Sequence, residues 1–226
     1  ADYLLQSPNG KLTVEIETKG QLSYTLKHNS QTLLDKSPIG LLLEDKILGE
    51  DIKISRIKRN SSVKEHIVSP HYRLPSFEVT YNELNLKFKG NYGIIFRAYN
   101  EGIAYRFYTT MKGPLIIKDE MVQMNFPKDY PTFMSYSTMP TGEDQYAMAF
   151  QNLYTKSSIK GVDTNNIAFL PITIDCGNEL KMTLLESDLE DYPGMFIKGD
   201  GKNTSLQGTF AHYLSLIHIS EPTRPY

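Results

Sequence analysis

Lys11-Leu12-Thr13-Val14-Glu15-Ile16-Glu17-Thr18-Lys19-Gly20-Gln21-Leu22-Ser23-Tyr24-Thr25-Leu26-Lys27 decides the fold class. Leu12, Val14 and Ile16 alternate with polar neighbours, the period of a strand that buries one face. Gly20 lets the backbone reverse, and Leu22, Tyr24 and Leu26 repeat the period on the return. Asn29-Ser30 turns the chain once more. Alternating runs joined by short turns predict antiparallel hairpins, and the rest of the chain uses the same device.

Short apolar or alternating runs recur over residues 39–43, 51–58, 81–89, 93–98, 102–109, 115–125, 167–174, 180–185 and 195–198. Tyr99-Asn100-Glu101-Gly102 predicts a tight hairpin turn between two of them. Residues 60–76, rich in Ser, Pro and His, read as a long loop that reaches toward a ligand or a neighbouring domain. Residues 141–156 leave room for a short helix, although their periodicity is poor. The expectation is about a dozen strands, no long helix, and a mostly β fold built as an antiparallel β-sandwich. No repeat of fixed period and no low-complexity linker divides the chain.

Composition narrows the function. The 226 residues carry a formal charge of −2, so there is no basic footprint for nucleic acid or an acidic membrane. No apolar run approaches the roughly 20 residues of a membrane span. One cysteine excludes an internal disulfide, and its place after an apolar run predicts that Cys176 is a buried, inert thiol. The first residue is Ala1, as in a mature or trimmed product. With 15 Tyr, 10 Phe and no Trp, the aromatic rings suit sugar binding. They are spread along the chain, however, so strand building is the stronger reading.

No G-x-S-x-G, H-E-x-x-H, P-loop or G-x-G-x-x-G is present. Lys198-Gly199-Asp200-Gly201-Lys202-Asn203 is a turn between strands and no phosphate loop. Arg97 and Arg106 have the chemistry to meet a sugar or a carboxylate, but a strand-face salt bridge with Glu83 or Glu101 is the expected role. Asn82 and Glu83 are read as bridging a turn. His66 and His71 flank Pro70 at a spacing that is no metal signature. His28 falls at a hairpin turn. Two N-x-S/T sequons, at Asn60 and Asn203, carry no argument.

The candidate site lies where a strand ends, at Glu186, followed by Asp188, Glu190 and Asp191 and then by Tyr192-Pro193-Gly194. A carboxylate held at a strand end is a hard-cation ligand by chemistry. On the residues alone, a solvated acidic turn explains the segment more readily. Met195 and Phe196, beside it, are expected on an exposed, sticky face.

Three blocks together resemble the N-terminal domain of glycoside hydrolase family 97, whose members cleave α-glucosides and α-galactosides. They are Ser7-Pro8-Asn9-Gly10-Lys11-Leu12, Phe96-Arg97-Ala98-Tyr99-Asn100-Glu101-Gly102-Ile103-Ala104-Tyr105-Arg106-Phe107, and residues 186–197. A segment like Leu33-Leu34-Asp35-Lys36-Ser37-Pro38-Ile39-Gly40-Leu41 also occurs in that family, and the match spans residues 1–213. The resemblance implies a galactose-mutarotase-like super-sandwich that precedes a (β/α)8 catalytic barrel and a C-terminal β-domain. It implies that the barrel and all catalytic residues lie outside this chain, which is expected to be inactive alone. It implies that Glu186 is the one N-terminal-domain glutamate that helps bind an active-site calcium. It further implies an α-linked oligosaccharide substrate for the parent, intramolecular docking on the barrel, and export to the periplasm in Bacteroidota. Residues 214–226 (Leu214-Ser215-Leu216-Ile217-His218-Ile219-Ser220-Glu221-Pro222-Thr223-Arg224-Pro225-Tyr226) read as a non-native artefact tail. A free-standing carbohydrate-binding β-sandwich is the alternative.

Overall fold

The computed structural model describes residues 2–69, 73–139, 145–146, 151–187, 189 and 192–211. In chain order the strands are β1 (Tyr3–Gln6), β2 (Leu12–Glu17), β3 (Ser23–His28), β4 (Gln31–Leu43), β5 (Ile47–Leu48), β6 (Ile54–Val68), β7 (Ser76–Phe88), β8 (Tyr92–Tyr99) and β9 (Ile103–Thr109). There follow β10 (Ile117–Asn125), β11 (Pro131–Tyr136), β12 (Thr155–Ser158), β13 (Ala168–Asp175), β14 (Lys181–Leu184), β15 (Met195–Gly199) and β16 (Ser205–Phe210). Among the described residues the only helical element is the short 3-10 turn Ile159–Gly161. Among the described residues the paired strands run antiparallel, so the chain is the mostly β sandwich that the alternation predicts.

The chain divides into two compact units, Ala1–Lys36 with Leu48–Leu115, and Ser37–Ile47 with Ile116–Tyr226. In the first, β1-β2-β3-β4 form one layer and β6-β7-β8-β9 the other. The period-2 apolar positions meet between the layers: Val14, Ile16, Leu22, Leu84, Leu86, Ile94 and Phe96 are all fully buried. Each such side chain contributes about 1.5–3 kcal/mol. The Tyr24 ring, 6.1 Å from Phe96 and 5.7 Å from Tyr105, stitches the layers. Polar bonds close the rim, with Arg59 donating to the Leu4 carbonyl at 2.7 Å and Asn82 to that of Gln6 at 2.8 Å.

The reading of residues 60–76 as a loop is corrected. β6 runs to Val68 and β7 begins at Ser76, paired from Val68↔Ser76 down to Ile54↔Phe88. A register shift between Asn60 and Val63 breaks the alternation, and most of β6 is exposed, so no apolar period marks it as a strand. β11, β12 and β16 were also not anticipated, because Ser, Thr and Pro dilute their apolar pattern. Of the short helix considered over 141–156, half the positions lie outside the described residues; the described ones are not helical, and Thr155 and Lys156 belong to β12.

In the second unit the strand order is β4-β10-β16-β15-β13-β11-β12, with β14 also pairing β13, along Ile172–Asp175. β4 gives residues 31–36 to the first unit and 37–43 to the second. Ile167, Phe169 and Phe196 form a buried cluster, with Tyr146 and Ala211 packed against it. Phe196 lies 5.8 Å from Phe169 and 5.1 Å from Tyr146. The expectation that Phe196 is exposed is therefore overturned. β15 is an interior strand between β16 and β13, and Phe196 points into the core while Met195 is half-buried.

Candidate functional site

Glu186 stands two residues past the end of β14, and β15 opens at Met195. Both strands run antiparallel to β13, β14 along Ile172–Asp175 and β15 at Ala168, so the chain leaves the edge of β13 after β14 and rejoins it in the same direction. The rejoining strand brings its first amide to the carboxylate: the Met195 N–H donates to Oε1 at 3.0 Å and to Oε2 at 3.1 Å. Gly194 lies against the same carboxylate, and a Cβ there would meet Oε1 at an ordinary contact distance of 3.4 Å. The result is a half-buried carboxylate with a fixed direction. Burial raises its pKa, and the Met195 hydrogen bond acts in the opposite sense.

A second carboxylate supports the loop. The Tyr192 hydroxyl donates to Glu120 Oε2 on β10 at 2.7 Å, and the Tyr192 ring meets Phe210 edge-on at 6.1 Å. Burial raises the Glu120 pKa; the Tyr192 bond lowers it, while the charges of Glu186 and Asp119 push it further up. Burial and the Glu120 charge likewise hold the Tyr192 phenol in its protonated, donating form. The loop that carries Glu186 is thus anchored at both ends, by Met195 and by Glu120. The Tyr192–Glu120 pair was not foreseen: its members are 72 positions apart, and nothing local to either marks the pairing.

The donor set suits calcium in type but not in number. A carboxylate has about four lone-pair positions, and one amide leaves several of them open. Calcium takes six to eight oxygens. Among the described residues no group of three or more His, Cys, Asp or Glu side chains could hold a metal ion. Among the described residues Glu186 would thus be a single ligand of any such shell. Asp188, Glu190 and Asp191 lie outside the described residues.

The remaining sequence candidates take structural roles. Arg97 binds Glu83 through Nε at 2.9 Å, approaches Glu65 at 3.6 Å and lies 4.3 Å from the centre of the Tyr81 ring. This is the strand-face ion pair expected for it. Arg106 sits opposite Ile95 on β9. Asn82 accepts from the Ser62 amide at 2.7 Å, and Glu83 accepts from Asn60 at 2.9 Å, so both bridge the β6–β7 bulge. His66 pairs with Glu78 in the ribbon. His71 and His218 lie outside the described residues, as does segment 214–226. Cys176 is buried with its pKa pushed up to about 11, first by burial and then by Asp175. The turn after β15 is tied by Asp200, which accepts from the Lys202 and Asn203 amides at 3.0 and 2.8 Å.

Against known proteins, the family model described as Glycosyl-hydrolase 97 N-terminal matches residues 5–223. The chain is 35% identical over 217 residues to a retaining alpha-galactosidase of Bacteroides thetaiotaomicron, covering 93% of this chain and 32% of that protein. A solved glycoside hydrolase family 97 enzyme in complex with acarbose, from Pseudoalteromonas sp. strain K8, superposes with a TM-score of 0.74 at 17% identity, over 92% of this chain and 32% of its own. A solved beta-arabinopyranosidase superposes with a TM-score of 0.82 at 17% identity, over 94% and 36%. The structures share the fold, and the chain spans about a third of the length of these relatives. By the family model and the sequence identity together, the chain belongs to the N-terminal domain family of glycoside hydrolase family 97.

Proposed function

We propose that this chain is the N-terminal part of a calcium-dependent glycoside hydrolase that cleaves terminal α-glucosidic or α-galactosidic bonds of oligosaccharides. Its role is to pack on the remainder of the enzyme and to supply one calcium ligand, Glu186. The observation that carries the reading is the carboxylate fixed by the Met195 amide at the strand end. It sits in a chain 35% identical to an α-galactosidase. Rigid delivery matters because a hard cation rewards oxygens already in place. When bound, calcium supplies electrostatic stabilisation near the sugar and its leaving oxygen. Catalytic acid, base and nucleophile belong to the part of the enzyme beyond this chain, so the spacing of their carboxylates, which sets the stereochemical outcome, belongs there too. Export to the periplasm accompanies this reading, in keeping with a Bacteroides relative.

The test is made in the parent polypeptide. Hydrolysis of aryl α-galactosides and α-glucosides is measured for wild type and Glu186→Gln across a calcium titration after chelator treatment. The expected result is calcium-dependent turnover that the variant recovers only at much higher calcium. Equal calcium dependence of the two proteins removes Glu186 from the metal shell. Saccharide binding by this chain alone, with no hydrolysis by the parent, would instead favour a carbohydrate-binding module.

A further inference from the structure

The net charge of −2 conceals a division within the chain. Of the 24 Lys and Arg, 15 fall in the first unit, against 10 of the 26 Asp and Glu, so that unit is basic and the second is acidic. The strand registers show where part of the surplus sits. Leu84, Leu86 and Phe88 of β7, with Ile94 and Phe96 of β8, are buried between the layers, so Asn85, Lys87, Gly93 and Ile95 face outward. Pairing extends this outer face across all four strands of the sheet. Arg56, Lys87, Gly93 and Tyr108 form one row, and Lys58, Asn85, Ile95 and Arg106 form the next. Neighbouring strands lie about 4.8 Å apart, so four cations share a small area. Arg56, Lys58 and Arg106 are exposed, and Lys87 is half-buried. No Asp or Glu occupies either row. Among the described residues Arg56, Lys58 and Lys87 enter no ion pair. In the row beyond, Glu83 is already held by Arg97 and by Asn60, each at 2.9 Å.

Tyr108 stands among these cations. The phenolic end of its ring lies over Gly93, where a Cβ would sit 2.6 Å away, and its hydroxyl donates to Asn85 at 2.7 Å. The ring is thus fixed on the outer face and left half-buried. We propose that this face, with Arg56, Lys58, Lys87 and Arg106 around Tyr108, binds an anionic glycan, a sugar chain that bears carboxylates or sulfates. A sugar lays its C–H face on an aromatic ring, and its acidic groups find guanidinium and ammonium donors on either side. The ring among the cations favours a sugar over a bare polyanion. Duplex nucleic acid carries a charge about every 1.7 Å and needs a longer cationic track than two rows. The net charge of −2 also works against it. A second copy would have to present its acidic unit head to tail, a contact without two-fold closure. The site belongs to the first unit, whereas Glu186 belongs to the second, so it goes beyond the calcium reading and does not depend on it.

Titration calorimetry tests the proposal on the full chain and on the parent polypeptide, with chelator present throughout. The probes are oligogalacturonate, a chondroitin sulfate oligosaccharide, a neutral α-glucan and inorganic polyphosphate. At least one acidic glycan should bind, with an affinity that falls as salt rises, and the neutral glucan should not compete with it. The triple variant Arg56→Gln, Lys58→Gln, Lys87→Gln should melt at the wild-type temperature and bind about tenfold more weakly, the loss expected of three solvent-facing charge contacts. Tyr108→Phe, which keeps the ring, should bind as wild type does, and Tyr108→Leu should bind more weakly. The proposal is overturned if neither acidic glycan binds, if the triple variant binds as tightly as wild type, or if polyphosphate matches the glycans. Binding by the chain but not by the parent overturns it as well, because the face would then be covered in the whole enzyme. Sedimentation velocity supplies the last check: self-association of the wild type that the triple variant loses would identify a second copy as the occupant and overturn the glycan site.

Discussion

Glu186 is held by an amide of the strand that follows it, and the loop between is held by Tyr192 on Glu120. A hydroxyl bonded to a carboxylate away from bulk water is among the stronger side-chain hydrogen bonds. Tyr192→Phe keeps the ring on Phe210 and removes only that bond. Its expected effect is a loss of about 1–2 kcal/mol in chemical denaturation, and in the parent a weaker calcium affinity without loss of fold. An unchanged denaturation midpoint would show that Glu120 is satisfied without Tyr192. Asp200 gives a pH-dependent counterpart far from the site. Burial raises its pKa, but the Lys202 and Asn203 amides and the Asn203 side chain outweigh that, so it titrates below its ordinary 3.8. A carboxyl depressed on folding adds stability above its unfolded pKa and loses it as pH falls through the folded value. The stability gap between wild type and Asp200→Ala should therefore be constant near neutrality and shrink once pH drops below 3.8. A gap that does not change in acid would show that the turn needs no charge.

At the scale of elements, the β7–β8–β9 meander is the part most completely determined by close approach. Gly93 lies between Lys87 and Tyr108 in register. A Cβ there would sit 2.5 Å from the Leu86 carbonyl and 2.6 Å from the Tyr108 ring, whose hydroxyl donates to Asn85 at 2.7 Å. Gly93→Ala should displace that ring, break the bond to Asn85 and destabilise the first unit by about 1–3 kcal/mol, as overpacking does elsewhere. Thermal melting checks it; Tyr108→Ala in the same chain should recover only part of the loss, because the clash with the Leu86 carbonyl remains. β6 is the opposite case. It is long, exposed and paired only with β7, and its bulge is bridged by Asn82 and Glu83 where alternation lapses. An edge ribbon needs little apolar patterning, which is why residues 60–68 read as a loop while Leu84, Leu86 and Phe88 read clearly as a strand.

On the scale of the molecule, the chain belongs to the N-terminal domain family of glycoside hydrolase family 97 and spans about a third of the length of its relatives. Among the described residues the site offers one well-fixed ligand and no metal-binding cluster. The chain alone should therefore turn over no aryl α-hexoside at any calcium concentration, whereas the parent should. Activity of the isolated chain, retained after repurification, would require a catalytic pair within these residues and would overturn the proposed division of labour.

The amino-acid sequence by itself determined the fold class, because a period of two in apolar residues is a local property that each strand displays alone: Leu12, Val14 and Ile16 suffice to read β2. It determined the family as well, since Phe96 to Phe107 and residues 186–197 keep a specific order of side chains. Only the tertiary structure decided that Phe196 is core while Leu185 and Leu153 are surface, because burial depends on which strands flank β15 and β14. It alone joined Tyr192 to Glu120 and the Met195 amide to Glu186, since a hydrogen bond between groups distant along the chain depends on how the strands return and leaves no periodic trace in either segment.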